Sequence, residues 1–554
     1  IGKRLLKYNQ PAEEFIPILY KGKQNLPIKS ICQISQNELC LGTDGKGTKI
    51  FNIPKQLITD YPFDNNYLDS GTSKVHSVLK DNAGNLWIAI YQKGVMMIPA
   101  QPNSFKYIGY KSINKNIIGS NCITSLCRDH EGVLWIGTDN DGIYGITTEL
   151  KQKVHYAPHD SPSSVPSTVF GLYEDSEHNL WFGSYTNGLG RLDKKTGQCS
   201  YLQNLTDKNG NRIQRVYDLV EDQDKRLWIA TMGAGLFYYD LKTGQSVYDP
   251  KFNAATKKYK WISCLLYAGD NHLYVGTYDG IRCIDLSTDD FKTEEILSRH
   301  IIHSLYEDPQ GNIWIGNSEG LAEWNPQTQQ LKTYTTAHGL SSNAVYAIKG
   351  DGQDNLWIST NAGMSRFNLN THTFSNFYAD DGLQGNEFSK NASFADHNGI
   401  LWFGGTNGIT YFNPQEITNP AKKWNVRIID FYLHDQPIRK GMLSGGKEII
   451  NTSVFEARDF HLSHNDNAFS IEFSTRELNN SERITYLYTI NNTPWVKLPK
   501  GVNRVSFSDL PPGDYHFRIK AEDYLLESDT DEITIHIAPA WWASGWAMLI
   551  YALL

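Results

Sequence analysis

Seven aspartates, Asp81, Asp129, Asp175, Asp222, Asp308, Asp351 and Asp396, each stand in a short polar turn just ahead of a Leu-Trp or Ile-Trp pair. Taken singly, such carboxylates look like general acids or calcium ligands. Glycoside hydrolysis would want two of them on converging loops. Their return once per repeat, with the same neighbours, points instead to a turn residue that accepts backbone N–H bonds. His461 and His464, in "HLSH", have the look of part of a metal site, but they lie in the lead-in to a strand-rich segment and no metal is expected there. No H-E-x-x-H, G-x-S-x-G, phosphate-loop or nucleotide motif occurs. The sequence therefore predicts no catalytic residue and no cofactor.

Binding chemistry is better represented. A sugar is held by flat aromatic rings against its apolar face and by Asn, Asp, Arg and His at its hydroxyls. A sulphated or uronic fragment adds a need for Arg, whose planar fork matches an oxyanion. Tyr185, Asn187, Arg212, Arg215, Tyr278, Arg299, His300, His338, Asn343 and Asn361 are the candidate ligand contacts. Asn386, Glu387 and Phe388 stand in a comparable loop but are read as tying the structure together. All of these precede or follow a repeated apolar strand.

The elements that position them repeat. Segments such as "NLWIAIYQKGV", "VLWIGTDNDGI", "NLWFGSYTNGL" and "NIWIGNSEGL" recur, and the key positions are Cys40, Trp87, Trp135, Trp181, Trp228, Tyr274, Trp314, Trp357 and Trp402, spaced 40 to 48 residues apart. A period near 45 is that of a propeller blade. Each unit reads as four short strands broken by Gly, Asn and Asp, as in "VYAIK", "LWIST", "MSRFN" and "HTFSNFYA" from Val345 onward. Four-stranded sheets arranged radially cover one another's edges. The Trp offers a broad face to the next sheet, and the Gly of "WIG" leaves room where two sheets approach. The loop before each innermost strand and the loop after "WIGT" then open on one face, where the candidate residues collect.

The units predict an all-β chain. Residues 103–420 make a complete seven-bladed β-propeller, closed when "NSFKYIGY" supplies an outer strand beside "ITYFNP". Residues 1–102 make part of a second propeller with blades missing upstream. A single ten-bladed ring is the alternative. From 422 to 538 the period stops, and alternating strands predict an Ig or fibronectin-like β-sandwich. "WWASGWAMLIYALL", within 539–554, reads as the start of a transmembrane helix cut short. The net charge of −8 gives no reason to expect direct nucleic acid contact. Seven scattered cysteines without C-x-x-C are not a disulfide framework.

These repeats resemble the two-component regulator propeller repeat. "YLYTI", "SFSDLPPGDYHFRIKA" and the terminal "PAWWASGWAMLIYALL" resemble the Y_Y_Y domain that follows it, with Tyr488, Phe507 and Tyr515 at the family's tyrosine positions; Phe507 departs from that pattern. The resemblance implies the periplasmic sensor of a hybrid histidine kinase and response regulator from Bacteroides. It further implies an oligosaccharide ligand released from complex glycans, glycosaminoglycan fragments among them, a homodimer, and attachment to the inner membrane through the C-terminal helix. The other classes are a propeller-type lyase or hydrolase and a protein-interaction scaffold.

Overall fold

The computed structural model describes residues 5–22, 26–61, 72–81, 84–98, 104–110, 116–119, 122–207, 209–248, 260–287, 291–417, 425–475, 484–491, 493–522, 527–543 and 545–554. Two compact units divide the chain, Ile1–Ile417 and Thr418–Leu554.

The first unit is built of repeated antiparallel sheets, and the Trp and Asp of each repeat show why. Asp129 accepts the backbone N–H of Val133 on one carboxylate oxygen (2.8 Å) and the Trp135 indole N–H on the other (2.8 Å). The same pair of bonds recurs at Asp175 with Asn179 and Trp181, at Asp222 with Arg226 and Trp228, and at Asp308 with Asn312 and Trp314. One side chain thus closes the turn and fixes the rotamer of an aromatic on the next strand. The indoles of Trp357 and Trp402 lack this bond; Arg366 and Arg128 lie 5.7 Å from their ring centroids instead.

Each fixed ring is buried against the following sheet. Trp135 clusters with Val165, Val169 and Leu180, Trp181 with Val216 and Leu227, and Trp228 with Ile262 and Val275. Tyr274 clusters with Ile302 and Ile315, Trp314 with Val345 and Ile358, and Trp357 with Phe388 and Phe403. Trp402 then clusters with Ile123, Leu134 and Ile136, which belong to the sheet of Trp135. Burying such a ring stabilises by roughly 3–5 kcal/mol relative to Ala. The glycine beside it is sterically required. A Cβ on Gly183 would sit 2.4 Å from the Val216 carbonyl oxygen of the next sheet.

Six sheets between Ile123 and Phe377 have four consecutive antiparallel strands, the first being Ile123–Arg128, Leu134–Thr138, Ile143–Ile146 and Gln152–Tyr156. The others begin at Val169–Glu174, Val216–Glu221, Ile262–Ala268, Ile302–Glu307 and Val345–Gly350. A seventh has Phe388–Ala395, Leu401–Gly405 and Gly408–Phe412, and takes its outer strand, Lys106–Ile108, from upstream. Lys106 pairs with Tyr411 and Ile108 with Ile409. First strands pack on first strands in cyclic order, the seventh against the first. Upstream lie a sheet with antiparallel strands Ile28–Ser35, Glu38–Thr43, Thr48–Asn52 and Leu57–Asp60, a three-stranded sheet from Val75 to Ile98, and a hairpin of Leu6–Asn9 with Glu14–Pro17.

The second unit holds an antiparallel sheet and a mixed sheet that resemble a β-sandwich. One contains Arg427–Leu433, Phe469–Ser474 and Arg504–Phe507; the other contains Asp459–Leu462, Thr485–Ile490, Gly513–Glu522 and Glu527–Ile537. Phe431, Phe460, Phe473, Phe517 and Ile535 form the shared core. Tyr488 packs against Phe507 and Phe517, each with centroids 6.0 Å apart, and the Tyr515 hydroxyl donates to the Pro511 carbonyl at 2.7 Å. Phe507 packs its ring against Phe469, Tyr488 and Phe517.

The expected membrane helix is corrected. The C-terminal helix is Gly545–Leu553, nine residues, preceded by a short turn at Trp541–Ala543. A span needs about 20 apolar residues, and no helix among the described residues is long and apolar enough to cross a membrane. The apolar run is helical over Gly545–Leu553, two to three turns.

Candidate ligand-binding site

The seven first strands share one irregularity. Pairing with the second strand slips just after the first residue in six, at Ile123/Ser125, Val216/Asp218, Ile262/Cys264, Ile302/Ser304, Val345/Ala347 and Phe388/Ser393, and just after the paired Phe170 in the other, at Phe170/Tyr173. A bulge leaves a residue unpaired and re-aims its side chain. Here successive bulged strands touch. Thr124 donates to the Val169 carbonyl, and Ser263 donates to that of Ile302. Phe170 stacks on Tyr217 with centroids 4.6 Å apart. His303 meets Tyr346 edge-on at 5.4 Å, and Lys390 Nζ lies 5.6 Å from the Tyr346 ring. Aromatic and cationic side chains thus follow one another around the ring of first strands.

Beneath them is a polar knot. Asp218 accepts from the Leu265 backbone N–H at 2.9 Å and from the Asn391 amide at 3.1 Å. Asn391 belongs to the seventh sheet and Asp218 to the third, which are not neighbours in the cyclic order, so this bond crosses the centre. Asn391 holds φ +54°, inside the longest of the seven slips. Burial pushes the Asp218 carboxyl up to about 6, against the lowering effect of its two backbone N–H bonds and of Lys349. Burial likewise pulls the Lys349 ammonium down, and Asp218 opposes it. His303 is pulled down to about 3, first by burial and then by Lys390, and is therefore neutral at pH 7. Its neutral ring, 5% exposed, has one donor nitrogen and one acceptor.

The candidates from the sequence lie at the starts of these strands and in the adjacent loops. Backbone bonds join the two kinds of loop: Gly188 N–H to the Gln214 carbonyl, Gly233 to Lys260, Arg299 to Asp279 and Gly363 to Asn386. Tyr185, Asn187, Arg212 and Arg215 are brought together. The Arg215 guanidinium is 5.0 Å from the Tyr185 ring centroid, and Arg212 donates to the Asn187 carbonyl at 3.0 Å. Tyr278 packs against the half-exposed Trp261 at 5.8 Å, and burial raises its hydroxyl pKa. His300 bonds the Ser298 carbonyl at 2.7 Å and lies 3.2 Å from Glu319; Arg299 holds φ +64°.

The remaining candidates are engaged in local structure. His338 caps its own short turn by accepting from the Thr335 N–H at 3.0 Å. Asn343 accepts from the Thr336 N–H at 2.8 Å, and Asn361 from the Ser342 hydroxyl at 2.7 Å. Asn386 repeats the Asn343 bond, accepting from Ala379 at 2.8 Å. The Glu387 carbonyl accepts from the Gln384 amide at 2.7 Å, and Phe388 is buried in the core with Trp357. His461 and His464 part company: the first stacks on His536 at 4.9 Å, the second meets Trp542 at 5.4 Å.

Sequence reasoning missed Tyr217, Asp218, His303, Tyr346, Lys349, Lys390 and Asn391. A signal was present. Polar or aromatic residues follow the leading Val or Ile in "VYD", "IHS" and "VYA", where an inner strand would otherwise be apolar.

Comparison with known proteins fits this geometry. The family model described as two component regulator propeller matches residues 117–140, 163–186, 212–233, 296–319 and 339–362, each running from a strand lead-in through a first or second strand. Histidine kinase P4 of Formosa agariphila is 24% identical over 95% of the chain, which spans only 32% of that protein. The extracellular domain of BT3049 from B. thetaiotaomicron, assigned to a hybrid two component system, superposes with a TM-score of 0.78 at 24% identity, covering 97% of this chain and 70% of that one. The corresponding domain of BT4673 gives 0.50 at 19% identity, covering 98% and 72%. Five segments of the chain thus match the two component regulator propeller repeat, and the chain shares the fold of the extracellular domain of BT3049.

Proposed function

We propose that this chain is the periplasmic ligand-sensing region of a hybrid histidine kinase and response regulator, and that it binds an oligosaccharide on the lead-in face of a seven-bladed propeller spanning 103–420. Residues 1–102 are then part of a second propeller, and 422–538 an Ig-like sandwich. The ring of cyclically packed first strands supports the blade count. The similarity to a histidine kinase and to extracellular domains supports the class and the compartment.

The observation that carries the binding reading is the chemistry of the bulge ring. Aromatic faces (Phe170, Tyr217, Tyr346, with Tyr185, Trp261 and Tyr278 in the loops) stand beside Arg215, Lys390 and neutral His303. Rings cover the apolar faces of pyranoses, the guanidinium and ammonium pair with carboxylate or sulphate, and His303 donates to and accepts from hydroxyls. The knot of Asp218, Lys349 and Asn391 gives that surface a floor. Acidic fragments, such as those of glycosaminoglycans, suit the cations best.

Isothermal titration of the chain with neutral and acidic oligosaccharides of two to eight sugars tests this. Acidic fragments bind in the expected outcome, and Arg215→Ala and Tyr346→Ala each weaken binding at least tenfold. Silence across plant and host glycans overturns the reading.

A further inference from the structure

The opposite ends of the sheets, where Asp-led turns join first strands to second strands, carry a separate constellation. His130 lies in the turn of the first sheet and His178 in the corresponding turn of the second. Glu174 ends the first strand of that second sheet. The two imidazoles stack with centroids 3.7 Å apart and planes 27° off parallel. Glu174 accepts from the His130 backbone N–H at 2.7 Å through one oxygen and meets His130 Nδ1 at 2.8 Å through the other. One donor atom from each of the three residues lies within 4.8 Å of the other two.

We propose that His130, Glu174 and His178 form a divalent transition-metal site, of the kind zinc occupies, that bridges the first two sheets. Two imidazoles and one carboxylate are ligand types that zinc takes, whereas calcium and magnesium want more oxygens than the three residues hold. The metal replaces the hydrogen shared between His130 Nδ1 and Glu174 Oε1, and His178 supplies the third bond. Ligand atoms of a tetrahedral zinc centre lie about 3.4 Å apart, so the His130–Glu174 pair opens slightly from its 2.8 Å contact and His178 swings out of the stack to present a ring nitrogen. Both histidines are exposed, while the Glu174 side chain is held at 11% exposure.

The fourth position borders a cleft of roughly 840 Å³ whose lining, besides the two histidines, has four cations, Lys153, Arg191, Lys194 and Lys195, against two carboxylates, Glu131 and Asp193. Its positive rim favours water or a small anion as the remaining ligand. Lys194 is the competitor. Its ammonium lies 2.5 Å from Glu174 and 3.2 Å from Asp129, so it holds part of the charge that a metal would neutralise.

The test uses the whole chain, stripped with chelator and titrated with zinc chloride by calorimetry and thermal melting. One equivalent of zinc binds and raises Tm by several degrees. His130→Ala and His178→Gly each weaken binding at least tenfold. His178→Gly leaves the metal-free Tm at or above its starting value, because His178 holds φ +68°, a conformation that glycine adopts more easily. Lys194→Gln strengthens zinc binding by removing a cation beside Glu174. Zinc uptake unchanged in the doubly substituted His130→Ala, His178→Gly protein overturns the proposal. Preference for calcium or magnesium over zinc, or no uptake above background, does so equally.

Discussion

His303 is a residue whose surroundings dictate a measurable pH dependence. Its folded-state value of about 3 lies below the ordinary 6.5. Between those values the unfolded chain binds the proton and the folded one does not. Its contribution is therefore complete above about pH 6.5 and is lost as pH falls toward 3, at about 1.4 kcal/mol per unit. Asp218 slopes the other way. Its raised value, about 6 against 3.8, gives stability that is present below about 3.8 and lost as pH rises through 6. In His303→Gln the acid-side term vanishes, so Tm measured from pH 7 down to 4 falls less than in the parent protein. An equal fall would mean that His303 is not buried as described. The repeated Asp offers a second comparison. Asp308 serves both its turn and an indole, while Asp351 serves its turn without the Trp357 bond. Urea melts should show Asp308→Ala costing about 1–2 kcal/mol more than Asp351→Ala, the worth of one charge-assisted bond. These residues also mark the limit of what the sequence makes legible. The Asp-Trp spacing of six is plain once the repeat is seen. That one carboxylate bonds both the turn and the ring is not, because it depends on strand pairing.

Elements were the most legible scale. Alternating short apolar runs separated by Gly, Asn and Asp give four strands per unit, and the unit from Val345 to Phe377 has its strands where the pattern placed them. The bulges were not legible. A slip of register adds a residue without changing composition, so "VYDLVE" marks an aromatic and polar start to an inner strand but not that Tyr217 leaves the ladder. The site followed the same divide. Tyr185 and Arg215 lie together, whereas His338, Asn343 and Asn361 make local hydrogen bonds that composition does not reveal. The close approach between sheets gives a prediction at this scale. Gly183→Ala forces a Cβ to 2.4 Å from a backbone oxygen that cannot rotate away. It should cost about 1–3 kcal/mol as overpacking. Gly352→Ala, whose added Cβ meets nothing within 4 Å, serves as the open-space control for the contact itself, although its φ of +73° adds backbone strain. A loss at Gly183 no greater than at Gly352 would show that the sheets have slack.

At the scale of the whole molecule, the first unit depends on one distant pairing. Phe105 carries Lys106–Ile108 into place by packing 4.8 Å from Phe412, 5.0 Å from Phe377 and 6.1 Å from Trp357, all centroid to centroid. Truncating it to Ala should cost about 3–5 kcal/mol, and hydrogen exchange should report the loss beyond the mutated strand. Faster exchange at Ile409 to Tyr411, together with that of Ile123 to Arg128, is the expected result, since Trp402 joins those two sheets. Exchange that quickens only at Lys106 to Ile108 would mean that the sheets open independently.

That pairing also sets a timetable for biosynthesis. Tyr107 donates to the Asn407 carbonyl at 2.6 Å, 300 residues downstream. A growing polypeptide emerges at about 5–20 residues per second, so the early strand waits roughly 15–60 s for its neighbour to exist. During that delay the Ile108 side of the segment has no mate, and its bare edge is open to pairing with another nascent chain. Slow translation or crowded ribosomes should therefore favour swapped assemblies, in which one copy's Lys106–Ile108 completes another's final sheet.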